Sequence, residues 1–202
     1  MRHSNNHIMR LFIIIIVLIF SFQSWTKADD IRDFEIEGMS IGDSALDFFT
    51  KNEINEAAIS GIYNSDKFFD KEIINHASFS KYEGVQLTFK KNDNQFIIHA
   101  LSGFIFYREN VDECFKQVDI VANDISDLFK NIKGEPVYKS HDGDPTGKSK
   151  TKSVDYWFKT GVIAVECWNW SEEITEKKGW VDNFGISIHT NEHVDWLNNE
   201  AY

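Results

Sequence analysis

The stretch NVDECFKQVDIVANDISDLF, Asn110 to Phe129, decides the fold, because its pattern predicts one long amphipathic helix. Asn110 is a typical N-cap residue, and Glu113 stands three positions later, where its side chain can complete a capping box. The apolar residues recur every three or four positions and form a single stripe: Val111, Cys114, Phe115, Val118, Val121, Ala122, Ile125, Leu128 and Phe129. Gly134 and Pro136 end the helix. A stripe of this length must cover an apolar surface.

That surface is predicted to be a β-sheet. Three runs rich in aromatic and β-branched residues precede the helix: KFFDKEII, GVQLTFKK and QFIIHALSGFIFY. A turn at Asn92 and Asp93 is expected to join the second and third runs. It would place one apolar set opposite another: Val85, Leu87 and Phe89 against Phe96, Ile98 and Ala100. Such alternation predicts antiparallel strands with one face on a core and one toward solvent.

The segments on either side complete the predicted order of elements. A short strand, DFEIEG, and two short capped helices ending at Gly61 come first. After the long helix, SVDYWFK, VIAVECW and WVDNFGISIH predict three more strands, and a short helix runs from about Glu192 to Asn199. We therefore expect an α+β fold with antiparallel sheet built from two three-stranded meanders, packed by one long helix with short N- and C-terminal helices.

The N-terminus carries the pattern of a secretory signal peptide. The basic start MRHSNNHIMR runs into the apolar segment LFIIIIVLIFSF, and small residues allow cleavage after Ala28. The apolar run is shorter than the roughly 20 residues that a membrane-spanning helix needs, so we expect no stable insertion after cleavage. Residues 1–28 are thus predicted to be a signal peptide and residues 29–202 a single domain, exported to the periplasm or the exterior.

The charge of the chain narrows the classes of partner. The predicted mature chain keeps 18 basic and 32 acidic side chains, a formal charge of −14. Such a surface repels nucleic acid and attracts cations or basic proteins. We expect no nucleic-acid binding, and a small ligand, a cation or a basic envelope protein as partner.

Cys114 and Cys167 are the only cysteines. An exported chain matures where disulfides persist, which favours one bridge between them. The alternative is two buried free thiols that pack as small apolar groups. A nucleophilic role is not expected for either, because apolar surroundings make a thiol inert.

Two strings resemble known motifs without their geometry. HTNEH, His189 to His193, spells the H-x-x-E-H of one class of zinc peptidase, with Glu192 as the base. However, His189 closes an apolar strand and Thr190 is typical of a helix start, so the two histidines are expected on different elements and no metal site is predicted. GDPTGKS, Gly143 to Ser149, resembles a phosphate-binding loop but has three residues between its glycines where the motif has four. No cofactor is expected.

An acidic, aromatic sheet face is the strongest candidate site. If Thr160 and Gly161 form a two-residue turn, Asp155 lies opposite Glu166 on the solvent face, with Trp157 and Trp168 beside them. Carboxylates between indoles can hold a sugar or an organic cation. The same four residues can instead be packing side chains. An acid pair acting on a glycoside is the third use.

Four segments resemble a family of small exported proteins of marine alphaproteobacteria: FEIEGMSIGDSALDFF, GVQLTFKKNDNQFII, ECFKQVDIVANDISDLF and TGKSKTKSVDYWFKTGVIAVECWNW. The resemblance covers nearly the whole mature chain and implies a bacterial envelope location, but no activity and no functional residues. We therefore expect a non-enzymatic binding or interaction module and assign no catalytic residue. The alternative is a hydrolase, with zinc at His189 and His193 or an acid pair at Asp155 and Glu166.

Overall fold

The computed structural model describes residues 30–58, 66–108, 110–141 and 144–201. The predicted signal peptide lies outside these ranges. Within them the chain has the expected α+β fold, and its strands form one seven-stranded antiparallel sheet.

The sheet joins both predicted meanders through the last strand of the chain. Its strands lie in the order β1-β2-β3-β7-β6-β5-β4, so β7 pairs with both β3 and β6. They are β1 Phe68–Ile74, β2 Gly84–Lys90, β3 Ala100–Phe106, β4 Glu135–Ser140, β5 Lys150–Phe158, β6 Gly161–Asn169 and β7 Asn183–Thr190. The strand β4 was not predicted, because Pro136 suggested only a helix end. Proline is tolerated there because β4 is an edge strand.

The described residues form four α-helices: α1 Lys51–Glu56, α2 Val111–Leu128, α3 Glu172–Lys178 and α4 Asn191–Asn199. A capping box begins α1, as the prediction of a capped helix requires: the side chains of Thr50 and Glu53 each accept from the other's backbone N–H. The predicted strand DFEIEG is wrong. Ile36 and Met39 form a single bridge across a tight turn in which Glu37 and Gly38 both have positive φ.

The core lies between one face of the sheet, here called the inner face, and the segments that cover it. Helix α2 packs its apolar stripe on β5, β6 and β7. The N-terminal segment, residues 31–54, supplies further core residues, including Ile36, Met39 and Phe49. The predicted disulfide between Cys114 and Cys167 is present, with Cα atoms 5.8 Å apart, and it ties α2 to β6.

The predicted hairpin between β2 and β3 is wrong in its turn. Thr88 pairs with Ala100, so the connection is a long loop rather than a turn at Asn92 and Asp93. Within this loop Ile97 bridges to Ser44, and Gly42 donates its backbone N–H to the Ile98 carbonyl. The loop thus satisfies backbone groups of the N-terminal segment, which could not be foreseen from strand alternation.

The predicted register between β5 and β6 is displaced by two residues. Asp155 lies opposite Ala164, and Glu166 lies opposite Ser153. The displacement arises because Gly161 is the first residue of β6 instead of part of the turn. A Cβ at Gly161 would collide with the backbone carbonyl of His189, so only glycine fits. A shift of two residues keeps every side chain on its predicted face.

Candidate functional site

The outer face of the sheet, opposite α2, is closed at one end and open at the other. Helix α4 packs on β6 and β7 at the closed end. There Trp196 is fully buried, and its ring lies 5.1 Å from that of Phe68. We call this part of the outer face the closed end. The open part at the other end of the same face is called the cleft.

The closed end contains both histidines of HTNEH. Thr190 ends β7 and caps α4 by accepting from the His193 backbone N–H, which confirms the predicted boundary. His189 and His193 do lie on different elements. The two elements nevertheless bring the side chains together: their rings stack in parallel and their Nδ1 atoms are 2.9 Å apart.

Burial favours the neutral form of both histidines. Burial lowers the pKa of His189 to about 4. The pKa of His193 is lowered further, by burial first and then by the positive charge that His189 and His99 would carry. Within the described ranges no group of three or more histidine, cysteine or acidic residues could hold a metal ion. The zinc-dependent alternative therefore finds no support at this end.

The cleft has a volume of about 570 Å³ and an aromatic wall. Trp168 lies at the end of β6, and Trp170 and Trp180 flank α3. The Trp168 and Trp170 ring centroids are 5.6 Å apart and nearly perpendicular, and those of Trp170 and Trp180 are 4.6 Å apart. Trp170 is buried and contacts both of the other indoles.

The floor of the cleft is a polar row with one side chain from each of five neighbouring strands. The row is Glu72, Gln86, Ser102, Ser187 and Glu166. The first four are direct cross-strand partners. The Ser187 hydroxyl donates to the Glu166 carboxylate at 2.5 Å.

Both carboxylates of the floor are held away from bulk water. Burial raises the pKa of Glu166, and hydrogen bonding from the Ser187 hydroxyl and the Trp168 indole N–H partly offsets that rise. The indole remains outside normal hydrogen-bond geometry, so the buried Trp168 Nε1 lacks a full partner in the described part of the chain. Burial also raises the pKa of Glu72. A ligand that hydrogen-bonds these carboxylates would restore interactions lost with water.

The mouth of the cleft carries two cations that already lie over aromatic rings. The Lys178 Nζ is 4.2 Å from the Trp180 ring centroid, and the Arg108 guanidinium carbon is 4.8 Å from that of Phe106. All four residues line the cleft. They add positive charge at the rim of an otherwise acidic floor.

No protein-family model, no curated protein and no solved structure matches this chain. No helix in the described ranges is long and apolar enough to cross a membrane.

Two of the four predicted site residues, Glu166 and Trp168, line the cleft. Asp155 is half-buried beside it and accepts from the Ser153 hydroxyl, and burial raises its pKa. Trp157 is 47% exposed and lies outside the lining, next to Val162. The like charges of Asp155 and Glu166 lie diagonally, and Asp155 still helps to raise the pKa of Glu166.

The sequence interpretation missed the other cleft residues. The segment WSEEITEKKGW forms α3 and places Trp170 and Trp180 at the side of an open cleft. Glu72 and Ser102 could not be predicted as site residues from the sequence, because their proximity to Glu166 and Ser187 depends on the strand order. The alternation of polar residues along each strand was the only signal.

The loop that resembles a phosphate-binding motif is organised by a carboxylate. Asp142 and Gly143 lie outside the described residues. Asp144 accepts hydrogen bonds from Ser149, Thr146 and Ser171. Those from Ser149 and Thr146 hold its pKa well below the usual value. The nearby lysines also have oxygen partners: Lys148 pairs with Glu173 and Lys152 with Asp119. This segment anchors α3 to the sheet.

Proposed function

We propose that the protein is an exported, non-enzymatic binding module of the cell envelope whose ligand occupies the cleft on the outer face. The observation that supports this most is the combination of an aromatic wall with an acidic, hydrogen-bonding floor. Pockets that bind small molecules combine apolar surface with a few convergent polar groups. The cleft is large enough for such a ligand.

The geometry argues against the hydrolase alternative. Glu72 and Glu166 lie on strands β1 and β6, four strand spacings apart, which is about 19 Å between backbones. Acid pairs that cleave glycosides have carboxyl groups about 5 to 9.5 Å apart. Asp155 is closer to Glu166, but it does not line the cleft. The floor therefore suits recognition better than acid–base chemistry.

A thermal-shift screen tests the proposed function. The probes are neutral sugars, amines, amino acids and divalent cations. We expect at least one class to raise the melting temperature of the wild type, and Trp168→Ala to abolish that rise. Because Trp168 is partly buried, Ser102→Gln provides a second variant that fills the floor without removing an indole.

Trp157→Ala is the matched control, since it removes an indole from the same sheet face outside the cleft. Its response to ligand should equal that of the wild type. If no probe gives a shift that depends on Trp168 or Ser102, the small-ligand form of the proposal is wrong. The predicted export is tested separately by the mass of the exported protein, which should begin at Asp29.

A further inference from the structure

The floor of the cleft presents a carboxylate at each end of its polar row and two hydroxyls between them. The carboxylates of Glu72 and Glu166 accept, and the Ser102 hydroxyl can donate as well as accept. The Ser187 hydroxyl donates to Glu166 and can accept from a ligand. The Ser102 hydroxyl has no hydrogen-bond partner among the described residues. A ligand hydroxyl matches this surface because it both donates and accepts. An ammonium group donates only, and a carboxylate group accepts only.

The wall of the cleft suits a flat apolar ring face. Trp168 and Trp180 are partly exposed there, and the buried Trp170 contacts Trp168 edge-on and Trp180 at a tilt. An indole face presents apolar area, and it packs against the C–H face of a sugar ring while the ring's hydroxyls point outward. Wall and floor together thus match a molecule with apolar ring faces and polar edges.

The charges around the cleft disfavour an ionic ligand of either sign. Lys178 and Arg108 already occupy aromatic faces at the mouth, so an organic cation would meet two like charges there. An anion would meet Glu72 and Glu166 on the floor. A neutral ligand avoids both repulsions.

The length of the polar row indicates more than one sugar ring. It runs from β1 to β6, which is about 19 Å at the usual strand spacing. A single sugar ring stacked on the indoles would be too short to contact Glu72 and Gln86 as well. We propose that the cleft binds a neutral, extended oligosaccharide of at least two rings, stacked on the indole wall and hydrogen-bonded along the floor. This inference rests on the proposed binding function.

Isothermal titration with sugars of graded length tests this inference. The probes are cello-oligosaccharides and N-acetylchito-oligosaccharides of one to four rings, with tetramethylammonium chloride as the cationic probe. For at least one series we expect affinity to rise about tenfold or more between one ring and three, which corresponds to about 1.4 kcal/mol. Tetramethylammonium should bind more weakly than the three-ring sugar.

Two variants locate the binding along the row. Trp180→Ala should weaken the binding of every sugar in the series, because it removes part of the wall. Glu72→Gln should weaken the three-ring sugar by several-fold and leave the one-ring sugar unchanged. Trp157→Phe, outside the cleft, should leave the affinities for the one-ring and the three-ring sugar unchanged.

The outcomes separate this inference from the proposed function. Tighter, Trp180-dependent binding of tetramethylammonium would overturn the inference and leave the binding function standing. Equal affinity for one and three rings would overturn the extended mode. Failure of both sugar series would overturn the inference, whereas the binding function is lost only if no probe of the wider screen requires the cleft.

Discussion

The two ends of the outer face are built from similar residues and reach opposite outcomes. At the closed end, α4 covers Phe68 with its own His193 and Trp196, and the three rings contact one another and are buried. At the cleft, α3 stands to one side, and Trp168 keeps surface toward an open volume. Aromatic and polar residues on a sheet therefore indicate a site only where no helix covers them.

The largest change in the free energy of unfolding is expected from a substitution at the closed end. Trp196→Ala removes the largest fully buried side chain there and should lower the free energy of unfolding by about 4 kcal/mol. Urea denaturation measures the change. Trp157→Ala, on the exposed part of the sheet, should cost less than about 1 kcal/mol. Similar losses in the two variants would show that α4 does not seal this end.

The disulfide lies on the inner face and should affect neither end of the outer face directly. Replacing Cys114 and Cys167 together by alanine should lower stability by about 3 kcal/mol, because the bridge closes a loop of 53 residues in sequence separation. Sugar binding, measured well below the unfolding transition, should be retained. Loss of binding in a folded double variant would mean that the cleft depends on the inner face.

The paired histidines should make the closed end sensitive to acid. The pKa of His189 is lowered to about 4, so the unfolded chain takes up a proton at higher pH than the folded one. The stability that His189 contributes is complete above about pH 6.5 and declines as the pH falls toward 4. Between pH 7 and pH 5 its loss is about 2 kcal/mol.

The double variant His189→Gln/His193→Gln is the comparison for this prediction. The substitutions can change the free energy of unfolding at every pH, so the quantity to compare is the slope of that free energy against pH. That slope should be shallower than in the wild type between pH 7 and pH 5. An unchanged slope would contradict burial of the pair as neutral groups.

The smallest change in the free energy of unfolding is expected at the cleft, where the substitution should stabilise the protein. Burial raises the pKa of Glu166, so its charged form is disfavoured in the folded state. Glu166→Gln should raise stability at pH 7 by on the order of 1 kcal/mol and weaken sugar binding. The gain should shrink at acid pH, where the folded wild type carries the proton. The exposed substitution Glu176→Gln on α3 is the control and should have no measurable effect on either property.

The fold was predictable where short-range patterns determine structure. The stripe of α2, the cap at Thr190 and the facing of β5 and β6 depend on residues close in sequence. The predicted facing of Ala100 was wrong, because Ala100 pairs with Thr88 on the outer face. The pairing of Cys114 with Cys167 followed because both lie on apolar faces turned toward one core.

The rest depends on contacts between distant residues. The register of β5 and β6 depends on how closely Gly161 approaches the His189 carbonyl, which belongs to another strand. The cleft needed the insertion of β7 between β3 and β6, because only that order aligns Ser102 with Ser187 and brings Glu166 into the row. Nothing near Glu72 in the sequence indicates that it shares a surface with Trp168.

Thr190 is at once the end of β7 and the cap of α4, so no loop separates that strand from its helix. Helix α4 is therefore fixed by the register of the sheet and has no hinge on which to swing. The wall of the closed end cannot act as a gate for the neighbouring cleft. We expect ligand association in a single kinetic phase, with an observed rate that rises linearly with ligand concentration in stopped-flow fluorescence.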